Sequence, residues 1–355
     1  MVNALRENNM KRVALLILAL VISACSTAVE TTYDKFIFYE KPKDWESDSI
    51  RALTIEKYSE FLSGKKFFID PGHGGEDRKN KNSDSSLVEA DLNLNVALAL
   101  RDYLTKAGAE VYLSRDKDTT VDLKYRSVLA NESGAEYFIS IHHNAPGNEE
   151  NVWTNYTSTF YHATPNDYEY EPFNHDMAKY VQRDLAYVMR NPGGLGSFDG
   201  TYSDYRIYPG DGFSVLRETH IPAILVECAF FTNRFEKFRL GDEEFNKIQA
   251  WGIFRGLGKF FSNTFPTIEL EKDKCTLDDN NMTLILKLSD PDGIDEKSIR
   301  TYFDSTEVSF RFDKDSEELR LELNNISPGE HELKVICADN EGIHSKPYYS
   351  KIITE

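Results

Sequence analysis

Lys65-Lys-Phe-Phe-Ile-Asp-Pro-Gly-His-Gly-Gly75 reads as a short buried strand that empties into a glycine-hinged loop presenting one histidine. Phe and Ile runs favour strands, Pro71 stops the strand, and Gly72, Gly74 and Gly75 admit backbone angles that a Cβ resists. His73 is thereby held at a strand's end. Taken alone it is one histidine in a turn, so its meaning depends on partners elsewhere in the chain.

Outward from this stretch, strands alternate with helices from Lys65 to about Asn263. The pattern predicts strands at 67–70, 110–114, 137–141, 158–162 and 221–227, and helices at 87–107, 123–133 and 243–261. Phe173, Met177, Val181, Leu185 and Val188 recur at helical spacing and give one apolar packing stripe. Such alternation implies a three-layer α/β/α domain with a mainly parallel sheet. Ligands of such sheets sit at the carboxyl ends of the strands.

After Phe265-Pro266 the character changes to short strands, at 267–271, 282–288, 298–303, 318–323, 331–337 and 348–353. Asp290-Pro-Asp-Gly293, Ser327-Pro-Gly329 and Asn340-Glu-Gly342 mark turns between them. Residues 266–355 are therefore expected to form an all-β sandwich of immunoglobulin-like or fibronectin-like type. Residues 25–64 read as a tether plus a short packing segment, weakly helical around Ser49 to Leu62.

The 355-residue chain carries a formal net charge of −18, which argues against nucleic acid as a partner, since phosphate binding needs a basic footprint. Arg6, Lys11 and Arg12 precede an apolar run from Val13 to Ala24, the layout of an export signal and too short for a spanning helix. The run ends Ile22-Ser-Ala-Cys25 and resembles a bacterial lipoprotein signal, in which the cysteine becomes the lipidated first residue. Cys25 is thus the expected membrane anchor, the alternative being ordinary cleavage near Ala24. Cys228 lies in an apolar run and reads as a small buried hydrophobe. An oxidising compartment permits a bridge between Cys275 and Cys337, but spacing in sequence does not decide it.

Four polar residues stand at strand or helix ends facing one edge of the expected sheet: His73, Glu89, His142 and Glu227. Ser86-Leu-Val-Glu89 also fits a capping box, with Glu89 reaching back to the cap amide. Glu227 ends an apolar strand, where a carboxylate is costly without a cation or hydrogen bonds. His142 and His143 are adjacent and point to opposite faces of an extended strand; parity alone does not say which faces the site. Two histidines and a carboxylate with an open fourth position form a catalytic zinc arrangement.

Together, Asp70-Pro-Gly-His-Gly-Gly75 with Asp77, then Glu89, Ser140-Ile-His142, Val215-Leu-Arg217 and Pro222-Ala-Ile-Leu-Val-Glu227 with Phe230 and Asn233 resemble the zinc-dependent N-acetylmuramoyl-L-alanine amidases. The resemblance runs from about Lys65 to Phe261. It implies one Zn2+ ion with His73, Glu89 and His142 as ligands, so that His142 rather than His143 faces the metal. It also implies Glu227 as the catalytic glutamate and peptidoglycan as substrate, the amide between N-acetylmuramic acid and L-alanine being hydrolysed. Asp70 or Asp77 would hold the free nitrogen of His73. The family commonly has glycine where this chain has Ala229 and a small residue where it has His143, and the stretch from Asn144 to Phe173 is longer and more aromatic than a minimal member. Those aromatics form either a substrate-contacting wall or local packing. Alternative readings are a catalytically silent cell-wall-binding module, or a zinc amidase or peptidase with another substrate.

Overall fold

Apolar β-prone runs supply the middle of a six-stranded sheet: β1 (Lys66–Pro71), β2 (Glu110–Leu113), β3 (Tyr137–Asn144), β4 (Ser158–Tyr161), β5 (Thr201–Ser203) and β6 (Ala223–Phe230). The strand order is β2-β1-β3-β6-β4-β5. The computed structural model describes residues 39–354 apart from 149, 164–167, 192, 194–197 and 279. The export signal and Cys25 lie outside the described residues. Among these, no helix is long and apolar enough to cross a membrane.

Strands β2, β1, β3 and β6 run parallel, whereas β4 pairs antiparallel to β6 and parallel to β5. The expected mainly parallel sheet is present, with a reversed edge. Two of the boundaries that differ from the sequence reading bear on the site. Strand β3 continues through His142 to Asn144, and β6 runs to Phe230, so Glu227 lies inside a strand rather than ending one. Backbone pairing outlasts the apolar run in both cases, because His142 pairs with Glu227 across the ladder.

Register explains how one sheet face becomes a site. Phe68, Phe138, Ala223 and Leu225 share a face near the strand starts, where they pack with Ala130, Val215 and Leu216. Further along the same face, alternation at period two places Asp70 beside Ser140 and His142 beside Glu227. The covering helices α3 (Leu123–Glu132) and α5 (Ser214–Arg217) pack over the apolar half.

The opposite face is covered by α2 (Glu89–Lys106), α4 (Pro172–Met189) and α7 (Glu243–Phe260), with α1 (Asp48–Leu62) outside them and a short α6 (Glu236–Leu240) before α7. The α4 stripe is realised: Phe173, Met177, Val181, Leu185 and Val188 are all buried. Gly252 and Gly256 let α7 approach α4 closely, since a Cβ on Gly256 would lie 2.5 Å from the Val181 Cα.

The C-terminal part consists of two antiparallel sheets. One has the order β11 (Thr306–Glu307), β10 (Ile294–Phe303), β14 (Gly329–Asp339), β15 (Tyr348–Thr354). The other runs β12 (Phe310–Asp313), β13 (Glu318–Leu323), β9 (Asn281–Ser289), β7 (Thr267–Leu270), with β8 (Thr276–Asp278) also on β9. Alternate residues of both, including Leu284, Leu286, Leu319, Leu321, Leu333 and Val335, fill the shared core. Cys275 and Cys337 are free thiols. Against α4 and its preceding loop, His344 bonds the buried Asp176 at 2.7 Å, Tyr349 bonds Glu171 at 2.9 Å, and Lys334 sits among Tyr168, Tyr302 and Tyr349.

Candidate metal centre

The loop after β1 is held in a conformation that side chains resist. His73, Gly74 and Gly75 have φ of 59°, 119° and 60°; a left-handed non-glycine residue costs on the order of 1 kcal/mol or more and persists only where surroundings fix it. Those surroundings are two buried arginines. Arg126 donates to Asp70 Oδ1 at 2.6 Å, Pro71 O at 2.8 Å and His73 O at 2.9 Å. Arg115 donates to Pro71 O, Gly72 O and Ala90 O at 2.7 to 2.9 Å. Asp118 accepts the Gly75 amide at 2.7 Å. Sequence reasoning missed both arginines, because the carbonyls of the 71–73 loop and the Asp70 carboxylate that they hold are distant in the chain.

Three of the four expected residues form one cluster: donor atoms of His73, Glu89 and His142 lie within 4.8 Å of one another. His73 Nε2 is 3.3 Å from Glu89 Oε2, and His142 Nδ1 is 3.0 Å from Glu89 Oε1. Tetrahedral corners around an ion with bonds of about 2.0–2.1 Å are about 3.4 Å apart, so this donor set suits zinc. Gly72 is part of the fit, since a Cβ there would lie 2.2 Å from the His142 ring.

Each ligand candidate has its own support. Asp77 Oδ2 is 2.7 Å from His73 Nδ1, whereas Asp70 is engaged with Arg126, Ser114 and Ser140. The second partner of His73 is therefore Asp77. Glu89 is not a capping-box residue: Val88 is the cap position, without a side-chain cap bond. Its carboxylate instead accepts from Asn80 Nδ2 at 2.8 Å, the His143 amide at 3.2 Å and Asn93 Nδ2 at 3.3 Å.

His143 points to the other face, as expected for the neighbour of a site residue. Its Nδ1 is 2.8 Å from Asn93 Oδ1 and its Nε2 is 3.0 Å from Gln249 Nε2. The amide of Gln249 can only donate, so His143 is neutral with its proton on Nδ1, and burial pushes its pKa down to about 4. Gln249, His143 and Asn93 thus donate in sequence toward the Glu89 carboxylate.

Charge is distributed unevenly over the cluster. Burial opposes protonation of His73, but Glu89 and Asp77 outweigh it and lift its pKa to about 9. Burial likewise opposes ionisation of Glu89, and the His142 and His73 contacts overcome it, holding the carboxyl well below the usual range. Glu227 moves the other way, pushed well above that range by burial and by the Glu89 charge. Its Oε2 is buried and has no hydrogen-bond partner among the described residues. The opposite shifts separate the two carboxylates: Glu89 is held in its charged form among the histidines, while Glu227 favours the protonated form.

The aromatic stretch between Asn144 and Phe173 is mostly packing. Tyr156 lies on Phe230 at 4.6 Å, Phe160 packs with Tyr202 and Phe213, and Tyr161 stacks on His175. Trp153 differs, being 63% exposed beside the equally exposed Phe235, with the Arg234 guanidinium 4.9 Å from its ring. Asn233 fastens this loop by donating to Trp153 O at 3.0 Å and accepting the Phe235 and Glu236 amides.

Comparison with known proteins points to one family. The family described as N-acetylmuramoyl-L-alanine amidase matches residues 67–259. The germination-specific N-acetylmuramoyl-L-alanine amidase of Bacillus subtilis (strain 168) is 31% identical over 215 residues, covering 57% of this chain and 81% of that protein. N-acetylmuramoyl-L-alanine amidase CwlM of Bacillus licheniformis is 34% identical over 202 residues, covering 56% and 69%. A solved N-acetylmuramoyl-L-alanine amidase from Clostridium difficile 630 is 32% identical, with a TM-score of 0.49 and coverage of 57% of this chain and 98% of that one. The chain belongs to the N-acetylmuramoyl-L-alanine amidase family and is a hydrolase of that class.

Proposed function

We propose that His73, Glu89 and His142 hold one zinc ion and that Glu227 is the proton-transfer residue for cleaving the amide between N-acetylmuramic acid and L-alanine. The observation that carries this reading is the convergence of the three donors within 4.8 Å, with Glu227 in register beside His142. A bound zinc supplies Lewis acidity, bringing the pKa of water toward about 7 and polarising a carbonyl.

The chain's own residues supply the rest. Asp77 orients His73 through Nδ1, and the bare Cα of Gly72 leaves space for the His142 ring. Glu227 takes the proton of the attacking water on its unpartnered Oε2 and returns it to the departing alanine nitrogen. Its raised proton affinity suits it to carry that proton between the two steps. Trp153 and Phe235 offer flat apolar faces for a sugar ring or stem peptide.

The layout of residues 6–25 supports export and lipidation at Cys25, which would hold the enzyme on a membrane facing the cell wall. The test is release of new L-alanine amino termini from purified peptidoglycan, with activity lost on chelation and restored by zinc. Glu227→Gln is expected to keep the metal and lose about 10²–10⁴-fold in kcat. Stoichiometric zinc with no cleavage of any cell-wall preparation would instead favour a binding module.

A further inference from the structure

A second cluster of acidic side chains lies at one end of the sandwich, in the turn after β9 and at the last residue of β14. Carboxylate oxygens of Asp290, Asp292 and Asp339 lie within 4.8 Å of one another. Asp290 is 6% exposed and Asp339 1%. Asp290 Oδ1 accepts the Asp292 amide at 2.9 Å, and Asp339 Oδ1 accepts the Glu341 and Ile343 amides at 2.9 and 2.8 Å. The other oxygen of Asp290, Oδ2, is buried and has no hydrogen-bond partner among the described residues. None of the three has a lysine or arginine ion-pair partner among those residues.

Three like charges at this spacing repel, and a buried carboxylate oxygen without a partner loses its hydration without compensation. A cation at the centre removes both costs. The donors are all oxygens, with no imidazole or thiolate in the cluster, which selects a hard ion over zinc. Two of them come from an irregular turn and one from a strand end, and such a mixed set fits the variable coordination of calcium better than the strict octahedron of magnesium.

We propose that Asp290, Asp292 and Asp339 form a calcium site. Thr264, in the segment between α7 and β7, places its hydroxyl 3.4 Å from Asp290 Oδ1 and 3.3 Å from Asp292 Oδ2. The site therefore lies against the connection leaving the amidase domain.

Calorimetric titration of the full chain with calcium chloride tests this, together with thermal unfolding in about 5 mM calcium or magnesium. The expected result is one calcium per chain, with Kd between about 10⁻⁶ and 10⁻³ M, and a melting temperature several degrees higher in calcium. Asp292→Asn, at an exposed position, should weaken binding at least about tenfold and abolish that rise. Asp290→Asn should lose the response too, yet melt higher than the unsubstituted chain in calcium-free buffer, because it removes one of the repelling charges. Absence of both heat and melting shift in the unsubstituted chain would overturn the proposal. So would a calcium response unchanged in both variants, or a magnesium response equal to that of calcium.

Discussion

The His142 ring fills the space that a Cβ on Gly72 would need, its Cε1 and Nε2 lying 2.2 Å from that position. Gly72 is thus required by close approach, since its own backbone angle is not left-handed. Replacement by alanine must displace either the loop carrying His73 or the histidine itself. Gly72→Ala is expected to fold and to lose at least about 10²-fold in kcat/KM, as misplacement by an ångström does. Its zinc content after dialysis should fall in parallel. Full zinc retention with native kinetics would show that the site tolerates the shift.

Asp77 is the residue that fixes which nitrogen of His73 is free for a metal. Asp77→Asn should lower zinc affinity by about 10–100-fold while leaving the melting temperature of the metal-free protein nearly unchanged. Competition with a chromophoric chelator measures this. An unaltered affinity would remove Asp77 from the account of the site.

Arg126 and Asp70 form a buried pair whose side chains are 5% and 1% exposed. Arg126→Met leaves Asp70 charged and buried and releases three backbone carbonyls, so a loss of about 3–5 kcal/mol is expected. Denaturant unfolding gives this number, and adding Asp70→Asn should recover part of it. No recovery would place the loss in the carbonyl contacts instead.

The neutral His175 predicts a specific acid sensitivity. Burial, with the nearby Lys179 charge, pushes its pKa down to about 4, and the ring stacks on Tyr161 and bonds Thr201 Oγ1 at 3.0 Å. The unfolded chain takes up the proton near pH 6.5 and the folded chain only near 4. Stability is therefore complete above about 6.5 and falls between 6.5 and 4, by up to about 1.4 kcal/mol per pH unit from this group. Comparing His175→Gln with the unsubstituted chain from pH 7 to 4.5 should show a shallower slope in the variant. Parallel slopes would remove His175 from the account.

How much of this was legible in the sequence depends on the range of the interaction. His73, Glu89, His142 and Glu227 were legible as candidates because each stands where apolar pattern meets polar residue, although the choice of His142 over His143 came from the family resemblance and not from the pattern. The helical stripe of α4 was legible for the same reason, being local periodicity. Arg115, Arg126, Asn80 and Asn93 were not, since they bond carbonyls or carboxylates reached only after the sheet assembles. The reversed direction of β4 left no trace either, because alternation is the same in both directions. Glu89 shows a local rule overridden: the capping-box spacing is present, yet its carboxylate is drawn to the histidines.

The most direct test of the central claim is a zinc-edge anomalous difference map from crystals of the zinc-loaded protein. The account predicts one peak within about 2.0–2.2 Å of a nitrogen of His73, a nitrogen of His142 and a carboxylate oxygen of Glu89, with Glu227 close by but not bonded to it. A peak bonded to His143, or one lying away from this cluster, would contradict it.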